Sequence, residues 1–82
     1  MQVVLSNKAK KHYLRLPSIE QKKIKRKLQS LTEYPFSGKK LSGDLEGDRS
    51  LRVWPYRIIY SINIKMKRVE VSNIMHRQGV YK

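Results

Sequence analysis

From Gly47 to Tyr81 the chain reads GDRSLRVWPYRIIYSINIKMKRVEVSNIMHRQGVY, and most of it alternates polar with apolar in the manner of β-strands. That alternation sets Arg49, Arg52, Arg57 and Arg77 among apolar residues and ends on His76 and Tyr81. Arginine is costly to hold near a core, so several on half-buried strands point to a surface built for an anion. No acidic residue falls between Arg49 and Arg68, so neighbouring salt bridges do not account for most of these arginines. The expected partner lies outside the chain.

Charge supports the same view. Nineteen Lys and Arg stand against six Asp and Glu in 82 residues, a formal net charge of +13. Such an excess repels itself in the folded state and attracts polyanions at long range. Nucleic acid is the first candidate partner, an acidic protein the second and an anionic membrane surface a distant third. The bland alternative is a basic surface that only keeps the chain in solution. With no cysteine, disulfides and thiolate metal sites are excluded, and nothing calls for a metal or other cofactor. The opening MQVVLSNKAKK has too short an apolar stretch for a signal peptide, and no run approaches the roughly 20 residues of a spanning helix. A cytoplasmic protein with no membrane partner is expected.

The length suits one domain over residues 1–82. Gln2 to Leu5 reads as a short strand with Val3 and Leu5 on one face. Ser6 or Asn7 caps a helix to about Leu16, with Ala9, Tyr13 and Leu16 on one side. After Pro17, Ser18 and Gln21 have the spacing of a capping box for a second helix. Ile24, Leu28 and Leu31 form its apolar stripe, extended by Ile19 and Tyr34, while Lys22, Lys23, Lys25, Arg26 and Lys27 crowd the other faces. His12, on the first helix, is expected to be exposed. Pro35 to Asp48 reads as a loop carrying Lys39 and Lys40. Three strands follow, at about Arg49 to Trp54, Tyr56 to Ile64 and Arg68 to His76, with Lys65-Met66-Lys67 as a turn and Val80-Tyr81 as a last short piece. On the middle strand Tyr56, Ile58, Tyr60, Ile62 and Ile64 share one face, and Arg57, Ile59, Ser61 and Asn63 the other. The fold class is α+β: a short strand and a helical hairpin packed on a small, twisted, antiparallel-rich sheet whose far face is partly open. If Tyr56 and Ile58 face the helices, Arg57 faces outward.

LRLPSIEQKKIKRKLQSL, KKLSGDLEG, RSLRVWPYRIIYSI and IMHRQGVY occur in the order found in RelE/ParE-superfamily toxins of toxin–antitoxin pairs, and the chain resembles that superfamily over nearly its whole length. PYRIIY and HRQGVY are more similar to the RelE branch than to the ParE branch. The resemblance implies a βααβββ fold with a basic concave surface on the open sheet face. It implies an enzyme of the RelE kind, a metal-independent endoribonuclease that enters the ribosomal A site, contacts ribosomal RNA and cuts messenger RNA, inhibiting translation. It also implies a cognate antitoxin, with DNA met only indirectly through that antitoxin. ParE-like members instead inhibit DNA gyrase without being enzymes, and a catalytically degenerate, basic RNA-binding module is a further alternative.

Metal-free RNA cleavage requires the 2′-hydroxyl to attack the adjacent phosphorus. The phosphate must be oriented, its growing charge stabilised, and protons moved by a base and an acid. By resemblance, Arg57 is the arginine of the YR motif at the scissile phosphate, and Arg77 the HR arginine that stabilises the transition state. A forked, permanently charged guanidinium suits both tasks. A second reading of Arg57 stacks it on Trp54 or Tyr60. Tyr81 matches the C-terminal tyrosine that stacks on the displaced nucleotide or moves a proton; it could equally plug the sheet edge. His76 is the residue type whose ordinary titration lies nearest neutrality, but it reads first as a structural histidine bonded to a carbonyl. Arg49, Arg52, Lys39 and Lys40 are candidate RNA contacts beside them. Lys22, Lys23, Lys25 and Arg26 are candidates for gripping ribosomal RNA phosphates without sequence preference.

One departure stands out. The RelE pattern carries two lysines on the strand before YR, where they serve as general base; this chain has Asp48-Arg49-Ser50-Leu51-Arg52. Arginine holds its proton too tightly to replace them. Tyr81, His76, Lys39 or Lys40 are the possible substitutes, with Glu46 and Asp48 as carboxylate alternatives that also suit loop caps.

Overall fold

The computed structural model describes residues 1–41 and 47–77. Its elements are β1 (Gln2–Leu5), α1 (Asn7–Arg15), α2 (Ser18–Glu33), β2 (Lys39–Lys40), β3 (Arg49–Val53), β4 (Tyr56–Asn63) and β5 (Arg68–His76). The strands form one sheet in the order β1-β5-β4-β3-β2. β1 runs parallel to β5, and every other pairing is antiparallel. This is the α+β arrangement expected, with the helical hairpin on one face of the sheet.

Ser6 sets the entry to α1. Its hydroxyl accepts from the Ala9 N–H at 3.1 Å and donates to the Ser72 carbonyl at 2.8 Å, so one side chain caps the helix and ties it to β5. Caps of this kind contribute about 1 kcal/mol. The expected capping box on α2 does not form. Ser18 is already the first helical residue, and Gln21 Nε2 donates instead to the Tyr13 and Leu14 carbonyls, at 3.0 and 3.4 Å. The Tyr13 carbonyl also accepts the Leu16 N–H at 3.1 Å, so Gln21 adds a second donor at the end of α1.

Ile24 and Leu31 are fully buried and Leu28 packs at their side, but the stripe is shorter than the spacing suggests. Ile19 is 71% exposed in the first turn, and Tyr34 is 65% exposed where the backbone has left the helix. These helical residues, with Ala9, pack on Val53, Ile58, Tyr60, Val69, Val71 and Ile74. Ile64 lies beyond the end of β4 and is exposed, so the apolar face of that strand stops at Ile62. His12 is half-buried, its Nδ1 at 3.0 Å from the Ile74 carbonyl, rather than exposed.

Two features of the sheet go beyond the expected strands. Lys39 and Lys40, expected in a loop, pair with Ser50 and Arg49 as the short edge strand β2. On β5, Ile59 pairs with Asn73 and Tyr60 with Val71, leaving Ser72 as an extra residue. This bulge returns Ile74 and His76 to the face that carries Val69 and Val71. Among the described residues no helix is long and apolar enough to cross a membrane.

Candidate nucleic-acid interface

Cross-strand pairing fixes which arginines meet. Leu51 and Val53 of β3 point to the helices, so Arg52, between them, points away. Arg52 pairs directly with Arg57, whose own neighbour Ile58 is fully buried in the core. Two guanidinium-bearing residues therefore stand side by side on the open face. Directly opposed like charges on a sheet are unfavourable, and together they concentrate positive charge on this face.

Two hollows meet at this pair. One, of about 630 Å³, is lined by Ser37, Lys39, Lys40, Leu41, Ser50, Leu51, Arg52 and Arg57. The other, of about 230 Å³, is lined by Arg52, Trp54, Pro55, Tyr56, Arg57 and Arg77. Arg52 and Arg57 are common to both and form the ridge between them. No acidic side chain is among the described residues lining either hollow. Lys39 reaches the open face through its pairing with Ser50, which stands beside Ile59 on the same side as Arg57.

Arg77 follows the end of β5 and is held at the tip of the β3–β4 hairpin. Its N–H donates to the Pro55 carbonyl at 2.8 Å, and its guanidinium lies 4.7 Å from the centre of the Trp54 ring. Arg57 and Arg77 thus line one hollow.

Arg49 has a different setting. It pairs with Tyr60 on the covered face, donates to the carbonyls of Phe36 (3.3 Å) and Gly38 (2.8 Å), and stacks 5.0 Å from the Phe36 ring. It holds the connection between α2 and β2 and does not join Arg52 and Arg57. Tyr60 holds the same connection from inside the core, accepting from the Gly38 N–H at 2.9 Å and donating to the Pro35 carbonyl at 2.8 Å. Together they fix the segment that leads into Lys39.

His76 pairs with Tyr56 on the covered face, edge-on to its ring at 5.3 Å between centres, whereas Arg57 pairs with Met75 on the other face. Lys22, Lys25 and Arg26 are exposed on α2, on the helical side of the molecule. Lys23 is engaged: its Nζ donates to the Trp54 carbonyl at 3.1 Å and lies 3.3 Å from Glu20. Arg68, at the far end of the open face, is paired with Glu70 at 2.7 Å. Tyr81 and Glu46 lie outside the described residues. Among the described residues no group of three or more His, Cys, Asp or Glu could hold a metal.

The family of ParE toxins of type II toxin–antitoxin systems, parDE, matches residues 3–81. The chain belongs to this family of toxins. Solved structures agree. The toxin is similar to a chain of the toxin–antitoxin complex RelBE2 from Mycobacterium tuberculosis, with 26% identity, a TM-score of 0.86, and coverage of 93% of this chain and 96% of that one. It shares its fold with the YoeB/ParE toxin from Agrobacterium tumefaciens, at 24% identity, a TM-score of 0.81, and 93% and 98% coverage. The isolated RelE toxin of E. coli has the same fold at 20% identity, a TM-score of 0.79, and 98% and 95% coverage. No curated protein matches the toxin in sequence. It is therefore a type II toxin of the RelE/ParE superfamily.

Three residues of this toxin's open face and its support have places that the sequence did not give. Trp54, considered only as a stacking partner for Arg57, lines the smaller hollow and carries the Arg77 guanidinium. Tyr60 and Gly38 set the approach to Lys39; nothing in their spacing tells that they touch.

Proposed function

We propose that this toxin is a ribosome-dependent messenger RNA endonuclease of the RelE kind, acting without a metal in the cytoplasm and held silent by a cognate antitoxin. The observation that carries the reading is the Arg52–Arg57 pair, with Arg77 on the same hollow. Converging guanidinium forks suit a phosphodiester whose equatorial oxygens gain charge during displacement. The branch-specific likeness of PYRIIY and HRQGVY adds to it.

In the reaction the substrate's 2′-oxygen forms a bond to the adjacent phosphorus while the bond from phosphorus to the 5′-oxygen breaks, leaving a cyclic phosphate. The proton of the 2′-hydroxyl passes to a base, and the departing 5′-oxygen takes one from an acid. Arg57 orients the phosphate, with Arg52 beside it, and Arg77 stabilises the charge that develops. We assign Lys39, entering from the edge strand beside Ser50, to the base position that the neighbouring strand leaves without a lysine. Tyr81 is the proposed stacking or proton-donating phenol. His76 is given a supporting role, packing Tyr56 at the hairpin. The antitoxin is inferred from family membership and from the toxin–antitoxin complex of the M. tuberculosis relative.

The test is a translation extract with primer extension on the message. Cleavage at the A site is expected, and Arg57→Ala and Arg77→Ala should each remove most of it while remaining folded. Undiminished cleavage by the double variant would sink the proposal. A second reading, gyrase inhibition, has the family's ParE description and the absence of lysine between Asp48 and Arg52 in its favour. It predicts loss of supercoiling with messages intact.

A further inference from the structure

Trp54 stands at the tip of the β3–β4 hairpin and is 60% exposed. Isolated surface aromatics are ordinary. This one is fixed from several sides. The connection from Val53 to Tyr56 is only Trp54 and Pro55, with Val53 and Tyr56 paired. The Trp54 carbonyl accepts from Lys23 Nζ at 3.1 Å, and the Pro55 carbonyl from the Arg77 N–H at 2.8 Å. The Arg77 guanidinium stacks on the indole. A guanidinium takes one side of a ring, and the exposure of Trp54 leaves a large part of the rest open to solvent.

What lies beside it gives this ring a use. Trp54 lines the hollow of about 230 Å³ together with Arg52, Arg57 and Arg77. Leu14, Ile19, Tyr34, Phe36, Ile64 and Met66 are also exposed, but none lines either hollow of this face. The space is below the roughly 300–1,000 Å³ of pockets that enclose drug-sized ligands, so it suits one flat ring rather than a larger body. An aromatic platform beside cations that track a phosphate backbone is the general arrangement by which single strands are held, because every base has a face to stack.

We propose that Trp54 is a nucleobase-stacking platform, receiving a base of single-stranded RNA next to the phosphate held by Arg52 and Arg57. The inference rests on the RNA-binding reading of that face and adds to it a subsite for a base. Stacking of this kind is tolerant of sequence, so Trp54 strengthens binding without choosing a codon.

Trp54 is the sole tryptophan of the chain, so its fluorescence reports on the subsite directly. The full-length toxin is titrated with a short 2′-O-methyl RNA, which cannot be cleaved, and with an abasic oligonucleotide of equal length and charge. The RNA should quench the emission and the abasic strand should not. Anisotropy of labelled strands gives affinities for variants. Trp54→Ala should weaken RNA binding between about five- and a hundredfold and leave abasic binding unchanged, with Trp54→Phe retaining most of the affinity. Equal quenching by the two strands, or unaltered RNA affinity in Trp54→Ala, overturns the stacking subsite. Arg52→Ala separates the two levels. If it weakens both strands while Trp54→Ala weakens neither, the basic face stands and the subsite falls; if it weakens neither strand, both fall.

Discussion

Arg52 and Arg57 are direct cross-strand partners, one on β3 and one on β4, on the sheet face turned away from the helices. Two like charges in that position oppose folding by a few tenths to about 1 kcal/mol. Arg52 is exposed, so replacing it has little packing to lose. Arg52→Gln is expected to leave urea stability unchanged or raise it by up to about 1 kcal/mol, while RNA affinity falls. Each phosphate contact removed should also lower the slope of log K against log salt by about 0.7 for a single strand. Lost stability with unaltered RNA binding would make Arg52 a structural residue.

Arg49 should behave in the opposite way. Its guanidinium is spent on the Phe36 and Gly38 carbonyls and the Phe36 ring. Hydrogen bonds to a charged group contribute about 1.5–3 kcal/mol, and partial exposure puts this one at the low end. Arg49→Ala should therefore cost about 1.5 kcal/mol in urea unfolding with the salt slope of RNA binding unchanged. A reduced slope at full stability would instead put this guanidinium on the RNA.

These two arginines mark how far the sequence can be read. Their phase differs, although the residue types put both among the candidate RNA contacts: Arg52 lies between Leu51 and Val53, which reach the core, whereas Arg49 is in phase with those residues. The outward aspect of Arg57, the helical hairpin and the strand positions were legible for the same reason, since burial imposes its period on the chain. The β5 bulge also left a trace, because Val69 and Val71 fall out of phase with Ile74. What was illegible depends on contacts between distant residues. The pairing of Lys39 with Ser50, the Tyr60 bonds to Pro35 and Gly38, and the capture of α1 carbonyls by Gln21 have no local signature.

Gly38 tests the support beneath Lys39. A Cβ built there would lie 2.5 Å from the Tyr60 hydroxyl oxygen and 2.8 Å from its ring. Tyr60 is fully buried and cannot swing away without disturbing the core. Gly38→Ala should destabilise the toxin by about 1–3 kcal/mol, as overpacking does. Tyr60→Phe keeps the ring but leaves the Gly38 N–H and Pro35 carbonyl without their partner, at a similar cost. Thermal or urea unfolding measures both. A Gly38→Ala variant as stable as the parent would mean that the α2–β2 connection shifts freely, and with it the placement of Lys39.

The exposed cations of α2 are set apart from the open face by the sheet itself. Under the proposed function they serve ribosomal RNA while Arg52 and Arg57 serve the message. Replacing Lys22, Lys25 and Arg26 together by Gln should lower ribosome affinity and flatten its salt dependence, yet leave affinity for a short RNA strand unaltered. Sedimentation with ribosomes and oligonucleotide anisotropy report the two separately. Weakening of both in parallel would show that the surfaces are not separate in use.

Lys39 and Lys40 are adjacent on β2 and so point to opposite sides of the sheet. Lys39 shares the side of Ser50, Ile59 and Arg57, while Lys40 borders the same hollow from the edge strand. A base must give up its own proton before it can accept another, and arginine does so far less readily than lysine. Lys39→Arg keeps a cation for the phosphate and removes the exchangeable amine. It should therefore bind RNA as the parent does and cleave at least a hundredfold more slowly, the lower end of what a general base contributes. Lys40→Arg should alter neither quantity appreciably. Single-turnover cleavage on programmed ribosomes, with binding measured on a non-cleavable message, separates the two effects. Full activity in Lys39→Arg would leave the lysine as a charge and move the proton transfer to another group, with Tyr81→Phe the next variant to measure.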